Sequence, residues 1–240
     1  VIRSADCIGC GKCVELCAFE AISADGPVNS SGGKTAVVDP FGCEGCKVCV
    51  EFCPVGAIDF NEKVNGEVFT SSTRFGSMVH AKLGVAEENT GKLVALVREK
   101  ARAIAERDGL STVIIDGSPG IGCPVIASIT GVQLVLVVTE PTLSGLHDLE
   151  RVAQLAAHFR VPALVCVNKW DINGELAGRI EEKAAAMGLD VMPRVGYHEV
   201  FTDAQVARKS VVEFSDSGPS GEIKALWDRV VAQLDKVADR

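Results

Sequence analysis

The sequence predicts an α/β protein in two parts, a small cysteine-rich α+β domain and a larger domain whose parallel sheet is covered by helices. Three observations support this prediction. Eight of the 10 cysteines fall within residues 7–53, and hydrophobic residues make up 47% of the 240 residues. After residue 58, apolar runs without polar alternation are separated by helical patterns. Strands of this kind are typical of parallel sheets, because helices bury both faces.

The cysteines form two copies of the spacing C-x2-C-x2-C-x3-C, offset by 36 residues. Nine of sixteen aligned positions in CIGCGKCVELCAFEAI and CEGCKVCVEFCPVGAI are identical, which indicates a duplicated unit. This is the cysteine run of bacterial ferredoxins, in which the first three thiolates wrap three corners of a [4Fe–4S] cubane. The alternative is a pair of zinc sites, although zinc usually takes four ligands as two widely separated pairs.

The fourth cysteine of each copy is predicted to lie on a following helix, too far round to close its own cluster, so it ligates the other cluster. The two predicted ligand sets are Cys7, Cys10, Cys13 and Cys53 for one cluster, and Cys43, Cys46, Cys49 and Cys17 for the other. Gly9, Gly11 and Gly45 are expected to let the backbone approach the inorganic sulfides. This dicluster domain is predicted to span residues 1–62.

Residues 63–240 are predicted to form the larger domain. Residues 67–83 read as two short strands around Gly76, and a helix is expected to run to residue 106 from an N-cap at Thr90. Strands are predicted at Thr112–Asp116, Gln133–Thr139 and Ala163–Asn168, with a fourth beginning at Val191. Further helices are predicted at about 123–130, 144–159, 174–187, 199–208 and 219–238.

Ligands of parallel α/β sheets bind at the carboxyl ends of the strands, so the strand ends are the candidate site. The first predicted strand ends at Asp116, which precedes a glycine-rich turn containing Pro119 and Gly120. A carboxylate in this place can reach Mg²⁺, and the turn can bring backbone amides to a phosphate.

The next two strand ends also carry polar groups. Glu140 and Thr142 follow the second strand, and Asn168, Lys169 and Asp171 follow the third in a loop similar to the NKxD base-recognition loop. Each loop alone is equally explained as a helix N-cap. Together, at successive strand ends, they predict a nucleotide site.

Several segments carry a family resemblance: TGKLV at 90–94, IIDGSPGIGCPV at 114–125, VVTEPTLSGLHDL at 137–149 and VNKWD at 167–171. With the double cysteine run, they make the chain similar to MinD/ParA-type (deviant Walker) P-loop ATPases that carry an inserted two-cluster ferredoxin domain. The resemblance implies a P-loop NTPase-type fold. It also implies that Asp116 is catalytic, that Pro119 and Gly120 belong to the switch sensing the γ-phosphate, that Asn168 contacts adenine and that Tyr197 lies on the base side.

The chain departs from that family at its start. In the family, the first strand, the Walker A loop and the first helix precede the ferredoxin insertion, whereas this chain begins inside it. The GGKT tract ending at Thr35 lacks the required glycine, since position 28 is Val28. We therefore expect the first βαβ unit to be missing and this chain alone not to hydrolyse ATP. Either the chain is a fragment or the protein lacks ATPase activity.

Charge and hydropathy narrow the classes of partner. The net charge is −8, from 24 Lys+Arg against 32 Asp+Glu, and residues 1–62 carry 4 against 9. This acidity argues against nucleic acid and predicts a redox partner that is basic at the contact. A homodimer is also possible. Without a membrane span or a signal sequence, the protein is predicted to be cytoplasmic.

Three functions stay open on the sequence alone. The first is an ATP-dependent switch coupled to a ferredoxin-like electron-transfer lobe, with two [4Fe–4S] clusters and ATP/ADP with Mg²⁺ as cofactors. The others are an electron carrier or redox subunit without ATPase activity, and an iron–sulfur carrier or scaffold. Two cysteines lie outside the repeats. Cys166 is expected to be packing in an apolar strand, and Cys123, at a helix start, is either packing or a reactive thiol.

Overall fold

The computed structural model describes residues 1–40, 42–61, 64, 66–84 and 91–238. Their contacts group them into two compact units. The first contains the described residues of Val1–Glu67 with residues 82–84, and the second contains Val68–Ala81 with residues 91–238. The expected boundary between Glu62 and Lys63 and the expected N-cap at Thr90 lie outside the described residues.

The first unit repeats one small motif twice. Helix α1 (Lys12–Glu15) follows Gly11, and helix α2 (Val48–Glu51) follows Lys47. Gly11 and Lys47 are both in the left-handed conformation. Strands β1 (Ile22–Ser23) and β2 (Val37–Val38) pair antiparallel, and Ile22 pairs with Val38. An antiparallel bridge between Ile2 and Ile58 repeats that pairing with the roles of the two copies exchanged. The duplication in sequence is therefore a duplication in structure.

A β-hairpin follows, formed by β3 (Gly66–Thr73) and β4 (Gly76–Leu83) around the predicted turn at Gly76. At its tip, Arg74 donates two hydrogen bonds to the Glu213 carboxylate and one to the Arg208 carbonyl oxygen. These contacts fix the tip of the hairpin to the carboxyl-terminal part of the second unit.

The second unit contains a three-stranded parallel sheet in the order β5 (Val135–Thr139), β6 (Ala163–Val167), β7 (Asp190–Val191). Its helices, in chain order, are α3 (Gly91–Asp108), α4 (Cys123–Ile129), α5 (Leu143–His158), α6 (Gly174–Ala186), α7 (Val200–Val206), α8 (Val211–Phe214) and α9 (Pro219–Ala238). Apart from α8, they follow the predicted spans closely.

Helices cover both faces of this sheet. Val165 and Val167 pack against Leu149 of α5 and Ile180 of α6, all nearly inaccessible to solvent. Leu164 and Cys166, which alternate with these two valines along the strand, pack in a second cluster with Leu226 and Val230 of α9. Successive residues of a strand point to opposite faces, so a strand buried on both sides needs a continuous apolar run. The predicted fold class is confirmed.

One predicted element is absent. Residues 112–116 were expected to form a buried strand, but they are not assigned to any strand, and Ile114 is 77% exposed. Within the described part of the chain, no strand is hydrogen-bonded to this segment, and β5 is paired with β6 alone. An apolar run buries both faces only when a hydrogen-bonded neighbour and covering helices surround it.

The short helix α8 was not predicted. Ser210 and Glu213 form a reciprocal capping box at its start, in which each side chain accepts from the other residue's backbone N–H. No helix of the described residues is both long and apolar enough to cross a bilayer.

Candidate iron–sulfur centres and strand-end site

The eight cysteines of the repeats line two cavities in the first unit. The first cavity is lined by Cys7, Cys10, Cys13 and Cys53. The second cavity is lined by Cys17, Cys43, Cys46 and Cys49. The fourth cysteine of each copy therefore lies beside the first three of the other copy. This placement agrees with the exchange proposed for the two ligand sets.

The donor chemistry of both cavities suits a [4Fe–4S] cluster. Each cavity offers four thiols, and bound iron supplies the positive charge that stabilises them as thiolates. Among the described residues, no three metal-ligating side chains lie close enough together to hold a single ion. Each set of four cysteines lines a cavity, and a cubane likewise holds its four ligands apart.

Equivalent backbone hydrogen bonds reach the exchanged cysteines. Ala21 N–H donates to Cys17 Sγ, and Ala57 N–H donates to Cys53 Sγ, each at 3.3 Å. Donors to a ligating sulfur stabilise its negative charge and favour the reduced cluster. Both centres receive this stabilisation equally, because the two bonds occupy matching positions of the repeat.

Burial raises the pKa of Cys13, and the nearby Cys7 and Cys10 raise it further, against two backbone hydrogen bonds that lower it. The pKa of Cys49 is likewise raised, first by burial and then by Cys43 and Cys46. Without metal, both thiols therefore favour the neutral form. Loading with iron must then release protons, as metal binding to thiols generally does.

A loop in the insertion between the two copies closes over the first cavity. Asn29 donates from Nδ2 to the Cys7 carbonyl oxygen at 3.1 Å, and its Oδ1 accepts from the backbone N–H groups of Ser31 and Gly33. Thr35 is fully buried and donates to the Pro27 carbonyl oxygen. Asn29 was not predicted from the sequence, although asparagine before a Ser/Gly run is a common signal for a side-chain-stabilised turn.

Four of the predicted nucleotide-site residues form pairs with one another at the carboxyl edge of the sheet. Lys169, in the left-handed conformation, places Nζ 2.6 Å from Glu140 Oε1. Asp171 Oδ1 accepts from the Tyr197 N–H at 2.7 Å, which joins the loops after β6 and β7. Both pairs are partly exposed, so they contribute little stability and can open to a ligand at small cost.

Asn168 and Thr142 also lie at this edge. Asn168 N–H donates to the Thr139 carbonyl oxygen at 2.8 Å, which extends the pairing of β5 and β6 by one residue. Thr142 is the N-cap of α5, and its Oγ1 accepts from Gly145 N–H. A Cβ at Gly145 would lie 2.4 Å from the Glu140 carbonyl oxygen, so only glycine allows this close approach of helix and strand end. Thr142 therefore acts as a helix N-cap, which is the structural alternative to a role in nucleotide binding.

Asp116, Pro119 and Gly120 do not join this group through any contact of the described residues. Asp116 is exposed and makes no hydrogen bond or ion pair within the part of the chain that is described. Gly120 has a φ of +84°, which suits the predicted glycine-rich turn. The turn leads into α4, whose last carbonyl oxygens, at Ala127 and Thr130, accept from Arg98 of α3.

Two further groups at the sheet edge were missed by the sequence analysis. Glu222 of α9 accepts from Gly196 N–H at 2.8 Å, and its second oxygen lies 3.2 Å from His198 Nε2. Nothing in the local sequence connects Glu222 with the loop at 196–198, since α9 brings it there across the fold. The two remaining cysteines differ: Cys166 is fully buried, as expected, and burial raises its pKa to about 11, whereas Cys123 is exposed.

Comparison with known proteins agrees with this architecture. Residues 6–57 match the family model described as a 4Fe-4S dicluster domain. The uncharacterized protein MJ0578 of Methanocaldococcus jannaschii is 36% identical over 168 residues, which are 70% of this chain and 55% of that protein. Protein MJ0579 of the same organism is 25% identical over 114 residues, 48% of this chain and 41% of that protein. The chain thus spans about half the length of the curated relatives it matches.

Among solved structures, the cell division ATPase MinD of Pyrococcus furiosus superposes with a TM-score of 0.50 at 13% identity, covering 62% of this chain and 60% of that one. At this identity the likeness shows the fold alone. The chain is therefore an iron–sulfur protein in which a 4Fe-4S dicluster domain is joined to an α/β domain with a MinD-like fold.

Proposed function

We propose that this protein is an ATP-dependent switch whose nucleotide state is coupled to a ferredoxin-like electron-transfer lobe. One observation carries the proposal: a dicluster domain shares one chain with a MinD-like sheet whose carboxyl edge gathers Glu140, Asn168, Lys169, Asp171 and Tyr197. The clusters, when bound, supply one-electron chemistry. Iron content of about eight per chain, with equal sulfide, follows from the eight ligands.

In this proposal the loops at the sheet edge receive the nucleotide. Asn168 contacts the base, and the pairs Lys169–Glu140 and Asp171–Tyr197 open or rearrange around it. The turn at 116–120 senses the phosphates, with Asp116 reaching Mg²⁺. A phosphate-binding loop is required in addition, because lysine and backbone amides must cradle the phosphates. No stretch of the 240 residues has the Walker A spacing of such a loop.

The packing of α3 on α4 supports a route for the coupling. Arg98 of α3 holds the last carbonyl oxygens of α4, and the first residue of α4 follows the 116–122 turn. A movement of that turn on phosphate binding displaces α4, and α3 follows through Arg98. Rearrangement of a phosphate-sensing loop is the usual event in switches of this kind.

The test uses the longest natural form of the chain, loaded with iron and sulfide under anaerobic conditions. We expect binding of Mg-ATP and slow hydrolysis, and Asp116→Ala should abolish Mg²⁺-dependent hydrolysis while leaving iron content unchanged. Asp108→Ala, an exposed carboxylate at the end of α3, is the matched control and should hydrolyse ATP normally. Loss of hydrolysis in both variants, or in neither, contradicts the proposed role of Asp116.

A further inference from the structure

The two cavities differ in their exposure to solvent. In the second cavity Cys43 and Cys46 are both exposed, whereas in the first cavity Cys10 is exposed and Cys7 is partly covered. Cys7 and Cys43 occupy the same position of the repeat, so the difference arises from what surrounds each copy. Solvent and partner proteins reach the second centre more easily.

The inserted loop is the cause of this difference. Asn29 holds the Cys7 carbonyl oxygen, and a Cβ added to Gly9 would lie 2.6 Å from the Lys34 carbonyl oxygen, so loop and cysteine run are in close contact. Ala24, Lys34 and Ala36 of the insertion line the first cavity. The insertion also reaches the second cavity through Phe19, Ile22 and Val38, but among the described residues none of its turn, 24–36, lines that cavity.

The two cavities also differ in charge. Lys12 and Lys34 line the first cavity, and none of its described lining residues is a carboxylate, although Lys34 Nζ lies 3.6 Å from Asp25 Oδ1 outside the lining. The second is lined by Glu44, Lys47 and Asp59, of which Asp59 is paired with Arg3. Glu44 is exposed and occupies the repeat position of Ile8. The side with the exposed cysteines therefore presents an accessible carboxylate.

Exposed apolar side chains surround the second cavity. Leu16, Phe19, Val48 and Phe60 line it, and each has more than a third of its surface exposed. At the first cavity, Ile8 and Val55 are the large apolar side chains exposed to this degree among the described residues. An apolar patch with charged groups at its edge is the composition of a protein contact surface.

We propose that electrons enter and leave this protein at the second cavity, which is the docking surface for a redox protein with a basic contact patch. We expect a basic partner, because the exposed carboxylate of Glu44 lies at this surface and residues 1–62 hold 9 acidic against 4 basic residues. The first centre exchanges electrons through the second, and Ile58, which lines both cavities, is the side chain between them. This inference rests on the proposed electron-transfer role.

The test is oxidation of the reduced, cluster-loaded full chain by inorganic complexes of opposite charge, followed by stopped-flow absorbance. A cationic cobalt(III) hexaammine complex and an anionic cobalt(III) oxalate complex each take one electron and become cobalt(II), while the protein loses one electron. Their intrinsic reactivities differ, so the informative quantity is how a substitution changes each rate.

Glu44→Gln should slow oxidation by the cationic complex several-fold at low salt and leave the rate with the anionic complex unchanged or higher. Glu51→Gln, on exposed α2 but lining neither cavity, removes the same charge and should change the two rates much less. Asn29→Ala loosens the loop over the lysine-lined first cavity and should speed oxidation by the anionic complex.

Equal effects of Glu44→Gln and Glu51→Gln would mean that only overall charge matters, and they would overturn the assignment of the second cavity. An unchanged anionic rate in Asn29→Ala would overturn the shielding by the loop. Iron content and electron paramagnetic resonance of each variant separate these outcomes from failure of the proposed function, since a protein without two reducible clusters fails before any rate is measured.

Discussion

Cys17 and Cys53 each line the cavity built by the other copy of the repeat, and this exchange can be tested with paired substitutions. Cys17→Ser with Cys43→Ser removes two ligands of the same predicted cluster, so about four iron atoms per chain should remain. Cys17→Ser with Cys7→Ser removes one ligand from each cluster and should reduce iron well below four. Iron and sulfide analysis checks this. Four iron atoms in the second variant and fewer in the first would show that each copy holds its own cluster.

Glu213 gives a pH-dependent contact at the hairpin tip. The Arg74 guanidinium, followed by hydrogen bonds from Ser210, lowers the pKa of Glu213 from 4.5 to about 2. Because the pKa is lower in the folded state, the ionised carboxylate stabilises the folded protein at pH values above 4.5. This stabilisation is lost as the pH falls from about 4.5 to about 2. Arg74→Ala should raise the pKa of Glu213 towards 4.5, measured by carboxyl NMR titration. An unchanged pKa would assign the shift to Ser210 alone.

Individual residues also show how much of the site could be predicted from the sequence. The grouping of the eight repeat cysteines around two cavities and the buried position of Cys166 could be predicted, because cluster spacing and apolar strands are local patterns. Glu222, Asn29 and Arg98 were not found, since each acts on a segment brought to it by folding. Asp116 was placed at the end of a strand that does not form in the described chain.

At the scale of single elements, the inserted loop depends on a glycine in the cysteine run. Gly9 and Gly11 both have positive φ, +69° and +73°, so alanine at either costs about 1 kcal/mol in backbone strain. A Cβ at Gly9 also meets the Lys34 carbonyl oxygen at 2.6 Å, whereas one at Gly11 meets nothing within 4 Å. Gly9→Ala should therefore lower the thermal midpoint of the loaded protein more than Gly11→Ala does. Equal midpoints would mean that the loop yields freely.

Arg98 provides the corresponding test in the α/β domain. It donates to two carbonyl oxygens at the end of α4, where a cation also interacts favourably with the helix dipole. Arg98→Met should lower the free energy of unfolding by about 1–2 kcal/mol, measured by denaturant titration. Arg102→Met, four residues further along α3, removes only an exposed pair with Glu106 and should lower the free energy of unfolding much less. Equal losses would remove Arg98 from the proposed coupling route.

Helices α4, α5, α6, α7 and α9 and the strands β5, β6 and β7 could all be predicted, because their periodicity and punctuation are strong. Residues 112–116 have an apolar pattern but do not form the strand that this pattern predicts. Their composition is that of a buried strand, yet whether a strand forms depends on a neighbour that no local pattern specifies. The capped helix α8 is shorter than the periodicity can detect.

At the scale of the whole molecule, the proposed function joins two kinds of chemistry in one chain. In the proposed function, the dicluster domain provides one-electron centres and the sheet edge of the domain with a MinD-like fold receives a nucleotide. The alternative is two tethered domains with independent chemistry, in which the protein acts as an electron carrier. The two accounts differ in one respect: whether a ligand at the sheet edge alters the reduction of the clusters. Thermodynamic coupling is reciprocal, so reduction must then alter nucleotide affinity by the same factor.

The direct measurement is a redox titration of the longest natural form, followed by electron paramagnetic resonance, with and without Mg²⁺ and a non-hydrolysable ATP analogue. If nucleotide and clusters are coupled, at least one midpoint shifts; a tenfold coupling corresponds to about 59 mV for one electron, or about 1.4 kcal/mol. We also expect Arg98→Met to reduce this shift and Arg102→Met to preserve it. Identical midpoints and spectra with and without the analogue, in a protein shown to bind it, would contradict the coupling.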